Sequence, residues 1–521
     1  MTAKEPHEAA PTAVNTNNTC SNNNPTAAAS QGSSGNLICR DSTAAMNEKV
    51  DRNTGCESTI QPPVLRPQVS GAPSWEDPST RSQIYNNAVE TYIAKVCKVL
   101  IMYGAPTHRL ERYAHHTAEA LGLQLQSFYI PGCMMLSFGS PSSPQRSFHI
   151  IRCLQSLDLA KLGDVHTVYK DIIHERTTIE AASVCLDEIL DRPAQFPIWC
   201  RVLAYGLACA FIGPVSYNAQ PFDLPIIFVV GTIIGFFELV LVPRSELYGY
   251  VFEISASILA SFLGRVFGSI RWGHNQGFCF SAISQASIVM ILPGFTITCS
   301  ALELQSRNMV SGAVRLVYAI VYTLFLSFGF LIGISIYGAM DNNASSATSC
   351  STSYGVWWPI TFVIPFTFCY TVVQNGRWST MPQMLGLSIA GWAVNHFSNE
   401  KFGDVQPLSQ ALGALTVGVL ANIYARIRHG LAIALMHPAI YVQVPGSLAA
   451  SGSLISSVAI ADQITKNVTN ALTTSQALST QLVAGYTMVS IGIAITVGLS
   501  VGVLLVYPLQ KKKRRSGIFS Y

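Results

Sequence analysis

Apolar residues in the last two-thirds of the chain gather in runs of about 20, the length of a bilayer crossing. Ten such runs are predicted after Pro197, centred near Ala208, Val230, Ile258, Leu292, Thr323, Val363, Ile389, Gly418, Val444 and Ile495; Glu253 and Asn395 interrupt two of them. Two runs are broken in the middle by Pro-Gly, at Pro293-Gly294 and Pro445-Gly446. Proline removes a backbone donor and glycine loosens the turn, so each break should leave polar backbone groups at mid-depth, where lipid cannot satisfy them. The two prolines lie 152 residues apart (445 less 293), and shifting the first five runs by that distance lands near the next five. An odd number of crossings per unit inverts the second unit relative to the first, as in many secondary transporters, and both breaks then meet near the midplane.

Before the spans the pattern is different. Residues 1–83 are rich in Asn, Thr, Ser, Ala and Pro without apolar periodicity and are expected to be disordered. They also lack the short apolar core of a secretory signal, so insertion should depend on the first internal span. Residues 84–195 read as a small cytosolic α+β domain. Helices are predicted at Val89–Tyr103, Thr107–Leu121, Leu157–Ile173 and Thr178–Leu190, and strands at Leu123–Ile130, Cys133–Phe138 and Ser147–Cys153. The expected architecture is a mainly α, polytopic membrane protein with about ten transmembrane helices as two inverted five-helix repeats, preceded by that domain. Its divisions are a first repeat at 196–340, an outer loop at 341–355, a second repeat at 356–508 and a basic cytosolic tail at 509–521.

Composition supports a bilayer as solvent: 49% of residues are hydrophobic and only 12% charged. The net charge of +4 gives no reason to invoke nucleic acid. Basic residues after the last run and around the first put both termini in the cytosol. Under that topology the sequons at Asn343 and Asn467 fall in outer loops, as glycosylation candidates. The 13 cysteines show no regular spacing and read as free thiols, with neither a disulfide framework nor a metal site. No cofactor is expected.

The first candidates for binding a solute are Pro293, Gly294, Pro445 and Gly446, with the hydroxyls of Thr296, Thr298 and Ser447 just after the breaks. A helix restarting after glycine offers free N–H groups to a carboxylate, and the freed carbonyls suit an ammonium. A packing kink is the plainer alternative. Glu238 and Glu253 lie within predicted spans, where a carboxylate must pair or titrate; proton coupling and a structural pair, with Arg315 for instance, are equally open. Glu303, Arg307 and Arg315 follow the first break and read first as interfacial anchors, with Glu303 and Arg315 as further ion-pair or coupling candidates. In the soluble domain, His108, Glu111, His115 and Glu119 share a helical face at a metal-like spacing, but that face lies opposite the apolar stripe and is better explained as solvated.

The stretch Tyr103-Gly104-Ala105-Pro106-Thr107-His108-Arg109-Leu110-Glu111 resembles the signature opening the soluble domain of ThrE-type threonine/serine exporters, matching at Gly104, Thr107, Arg109 and Glu111. Leu292-Pro293-Gly294 followed by Ser311-Gly312-Ala313-Val314-Arg315 resembles that family's Pro-Gly and Ser-Gly-x-x-Arg elements. The layout is closest to the family's fungal pheromone-regulated branch. The resemblance implies export of small hydroxyl-bearing amino acids across a plasma or endomembrane, driven by protons, and leaves oligomeric state open. A hydrolase anchored by its spans, and a membrane scaffold or fusion factor without a solute, are the other function classes that fit this organisation.

Overall fold

The computed structural model describes residues 78–139, 146–272, 275–350, 355, 357–402, 405–428, 430–443, 454–462 and 474–508. Residues 1–77 of the start, the basic tail, Pro445, Gly446, Ser447 and Asn467 lie outside the described residues, while residues 78–83, expected to be disordered, belong to a helix. The part before the long apolar helices is four helices and a sheet: α1 (Pro78–Met102), α2 (Thr107–Ala120), β1 (Leu125–Ile130), β2 (Cys133–Phe138), β3 (Ser147–Arg152), α3 (Leu159–Ile173) and α4 (Ile179–Asp191). The strands form an antiparallel sheet in the order β1-β2-β3. Between Ile130 and its partner Cys133, Pro131 presets one turn dihedral and Gly132 supplies the positive φ of 84° that the next position needs. Alternation along β2 buries Met134, Leu136 and Phe138. These meet Tyr92, Val96 and Leu100 of α1 and Leu110 and Ala114 of α2 in one core. Asp158 caps α3 by accepting from the Lys161 amide at 2.9 Å.

The membrane part begins at α5 (Ile198–Ser216) and continues with α6 (Leu224–Phe236), α7 (Glu246–Gly249), α8 (Phe252–Gly268), α9 (Phe280–Ser287), α10 (Gly294–Gln305) and α11 (Met309–Met340). Then follow α12 (Trp357–Val373), α13 (Met381–Lys401), α14 (Gln406–Arg428), α15 (Ala432–Gln443), α16 (454–462) and α17 (Thr474–Val506). Among the described residues, five helices are long and apolar enough to cross a membrane, and six spans result if the bent pair Phe280–Ser287 and Val289–Gln305 is one span. The remaining expected spans are shorter or more polar. Helix α12 has 17 residues and α15 has 12, α8 carries Glu253 and Arg265, and α13 ends in the polar run Asn395 to Lys401. Eight of the expected centres still fall within helices, and Leu292 falls in the bend.

Outward faces of these helices are apolar: Val317, Leu324 and Phe328 of α11 and Ile493, Val497 and Leu504 of α17 are exposed. That is the surface a lipid solvent requires. Helix contacts are close where small residues meet. A methyl at Gly333 of α11 would come 2.5 Å from the Ile258 carbonyl of α8, and one at Gly498 of α17 would come 2.2 Å from the Ala411 carbonyl of α14. Such approach suits helices that pack without help from water.

One cysteine expectation is corrected. Cys279 and Cys350 form a disulfide with Cα atoms 5.7 Å apart, tying the start of α9 to the loop after α11. Their sequence separation of 71 carried no spacing signal; the fold alone brings them together.

Candidate functional site

The first broken helix unwinds where its sequence dictates. After α9 a short 3-10 turn, Val289–Ile291, leads to extended Leu292 (φ −65°, ψ 135°), and α10 restarts at Gly294 with a bend of 45°. Proline at 293 cannot donate to the carbonyl four residues back, that of Val289. That carbonyl accepts the Leu292 N–H of the 3-10 turn instead, at 3.3 Å, and a side chain adds to it: the Tyr441 hydroxyl, from α15, lies 3.0 Å from the Val289 oxygen and 2.9 Å from that of Met290 and is the donor to both. Gln443, the last residue of α15, precedes Val444-Pro445-Gly446 in the sequence, so the first break is bridged to the helix before the second Pro-Gly.

Aromatic groups fill the surroundings. Phe295 and His437 have ring centroids 4.1 Å apart, His437 stacks on Tyr370, and Tyr370 lies 4.4 Å from Tyr441. The Tyr370 hydroxyl is 3.2 Å from His437 Nδ1, and His437 Nε2, buried, has no hydrogen-bond partner. Tyr205 of α5 donates to Glu238 Oε2 at 2.6 Å. Glu238 sits on a π-turn, Phe237–Leu241, continuing α6, a local distortion frequent at functional positions. Glu253 and Arg201 are its charged neighbours. Thr298 is buried and donates to its own helix at Gly294 O (3.2 Å), while Thr296 is half-buried.

At the far end of α10, Glu303 is only 1% exposed. Thr107 of α2 donates to its Oε1 at 2.6 Å and Ser311 of α11 to its Oε2 at 2.6 Å; Arg315 Nε lies 3.4 Å from Oε1. Arg315 also reaches Tyr129 and Gln155 of the soluble domain, at 3.3 and 3.0 Å. Glu303 and Arg315 are therefore a buried pair joining the two parts of the chain, and Arg315 pairs with Glu303 rather than with Glu238 or Glu253. Of the other motif residues, Arg109 is buried and donates to the Tyr113 hydroxyl at 3.2 Å. Gly104 holds a φ of 86°, and a methyl there would come 2.7 Å from Leu157. Glu111 is half-buried; burial pushes its carboxyl up from the ordinary range, Tyr129's backbone opposes this and Glu303 adds to it.

The end of α16 is held by residues the sequence reading passed over. Arg265 of α8, fully buried, donates to Asp462 at 2.6 Å and to the Ile334 and Ser345 carbonyls at 2.8 and 3.1 Å. Ser346 donates to the other Asp462 oxygen at 2.5 Å. An arginine in an apolar run could have been flagged by its cost in lipid. Asn343 stands exposed just before this cluster. Among the described residues no three His, Cys, Asp or Glu side chains are grouped to hold a metal.

Residues 91–337 match a family model described as "Putative threonine/serine exporter". Over 434 residues the chain is 44% identical to an uncharacterized protein of Schizosaccharomyces pombe, covering 83% of this chain and 57% of that one. It is 42% identical over 434 residues to pheromone-regulated membrane protein 10 of Candida albicans, covering 83% and 39%, and 40% identical over 432 residues to that of Candida glabrata, covering 83% and 54%. The chain thus spans about half the length of the curated relatives it matches. No solved structure matches it. With the signature residues of α2 and the Ser-Gly-x-x-Arg element meeting at one buried glutamate, and with these relatives, the chain belongs to the threonine/serine exporter family of membrane proteins.

Proposed function

We propose that the chain is a proton-coupled secondary transporter that exports small hydroxyl-bearing amino acids, threonine and serine first, by alternating access around its two Pro-Gly breaks. The observation that carries this reading is the Tyr441 hydroxyl on the Val289 and Met290 carbonyls at the Pro293 break. It ties the first break to α15, the helix that precedes Pro445-Gly446 in the sequence, and broken helices are where transporters of this kind expose backbone polarity to a zwitterion. A ten-span, inverted five-plus-five arrangement with both termini cytosolic accompanies the proposal. Its support is a packing scheme that recurs: α5 on α6 as α12 on α13, α8 on α11 as α14 on α17, and α6 on α9 as α13 on α15. The second part of each broken helix also leans on the other unit, α10 on α17 and α16 on α11 through Ser457 and the Ser327 carbonyl.

In this reading the Glu303–Arg315 pair closes the cytosolic end and the Arg265–Asp462 pair the outer end, so rocking of one unit releases them in turn. A disulfide near the second pair suits an oxidising outer compartment. Glu238, beside Tyr205 and Glu253, is the proposed proton carrier, and Pro445, Gly446 and Ser447 the second unit's share of the solute site. The test loads proteoliposomes with labelled threonine or serine and imposes a pH gradient. Efflux above that of empty liposomes is expected for both, and its absence for both would defeat the proposal.

A further inference from the structure

The second unit contains a group of polar atoms that transport through the breaks does not use. Gln443, the last residue of α15, is 3% exposed, and neither its Oε1 nor its Nε2 has a hydrogen-bond partner. It lies in a cradle made by two glycines: a methyl at Gly391 of α13 would come 2.2 Å from Nε2, and one at Gly413 of α14 would come 2.8 Å from Oε1. The same Gly413 methyl would come 3.0 Å from Asn395 Cβ and 3.0 Å from the Gly391 carbonyl oxygen. The Gln443 carboxamide, Asn395 and that carbonyl therefore border one spot. Ser409 and Gln410 stand one turn before Gly413 on the same helix face.

Each of these side chains presents an oxygen without a partner: Asn395 Oδ1, Ser409 Oγ, Gln410 Oε1 and Gln443 Oε1. An unpaired buried carboxamide or hydroxyl already opposes folding, and four unpaired oxygens against one nitrogen on these facing helices ask for a group that only donates or is positively charged. Hard cations take oxygen ligands. With no carboxylate in the set, a single positive charge is what neutral dipoles can hold.

We propose that Asn395, Ser409, Gln410 and Gln443 form a binding site for a small monovalent cationic group: an alkali-metal ion, or the ammonium of a solute. The depth agrees with a site inside the membrane. Gln443 is the twelfth residue of α15 and Asn395 the fifteenth of α13, which at 1.5 Å per residue puts both roughly 18–22 Å along their helices. Gln443 is also the residue before Val444-Pro445-Gly446, so occupancy would be felt at the second break. The inference rests on the transport reading only for that last consequence.

The experiment follows thermal unfolding of the purified full chain in detergent, in N-methylglucamine chloride with NaCl, LiCl or KCl replacing it at constant ionic strength. Parallel series add threonine or its deaminated counterpart 3-hydroxybutyrate. A saturable rise in Tm with one alkali ion, lost in Gln443→Leu and Asn395→Leu, identifies an ion site. A rise with threonine but not with 3-hydroxybutyrate, lost in the same variants, identifies the ammonium. No saturable rise with any of these in the unaltered chain overturns the proposal, whether or not the variants fold, and so does a rise that both variants retain. Because the readout is binding, a protein that moves no amino acid yet shows the cation response would defeat the transport reading and leave this one standing.

Discussion

Replacing Thr107 by valine and Glu303 by alanine, singly and together, tests whether the soluble domain is fastened to the broken helix. Glu303 is 1% exposed and holds two hydroxyl donors at 2.6 Å and a guanidinium at 3.4 Å. Thr107→Val keeps the shape and deletes one hydrogen bond to a charged group, roughly 1.5–3 kcal/mol. Glu303→Ala strands Arg315 in a buried setting and should cost about 3–5 kcal/mol. The double variant should cost little more than Glu303→Ala alone, because the valine removes a bond that no longer exists. The coupling energy is then about 1.5–3 kcal/mol. Reversible unfolding in mixed micelles of rising denaturing-detergent fraction supplies the four free energies. Single effects that add to within about 0.5 kcal/mol would refute the junction.

Three further outcomes are expected. His166 is buried among Tyr113 and Tyr169, and burial, with Lys170 and Arg109 nearby, depresses its pKa from 6.5 to about 3. The native state keeps it neutral while the unfolded chain takes a proton, so the stability it contributes is present above about pH 6.5 and is lost as pH falls toward 3, at up to about 1.4 kcal/mol per pH unit; His166→Phe should flatten this part of a Tm-against-pH curve, and an unchanged slope would contradict it. Arg265→Met alone should destabilise by about 3–5 kcal/mol, with much of that recovered in Arg265→Met/Asp462→Leu; equal losses in both would argue against the pair. In a variant with the other cysteines replaced by serine, Cys279 and Cys350 should react with a maleimide polymer only after reduction, and labelling without reductant in a gel-shift assay would disprove the disulfide.

Local grammar carried much of the fold into the sequence. The hairpin at Pro131-Gly132, the stripe from Leu110 to Ala118 and the unwinding at Pro293 each depend on a few neighbouring residues, and all are where the pattern puts them. What escaped was long-range pairing. Tyr441 and His437 lie in the apolar run that the second Pro-Gly marks, but nothing local says that a hydroxyl there meets carbonyls 151 and 152 residues earlier. Glu303 read as an anchor at the membrane surface because its charge falls near the end of a run; its burial comes from Thr107, 196 residues away. Polar α13 and short α12 and α15 weakened the count of crossings, since helices that meet other helices on most sides need less apolar surface than a lipid-facing span.

The bridge between the first interrupted helix and α15 is tested most directly by threonine efflux from proteoliposomes holding the Tyr441→Phe variant beside the unaltered chain. The substitution removes one hydroxyl and keeps the ring that stacks near Tyr370. Loss of most of the efflux, with the protein still folded in the bilayer, is the expected result. Efflux equal to that of the unaltered chain would contradict the claim that the Tyr441 contact to Val289 and Met290 serves transport.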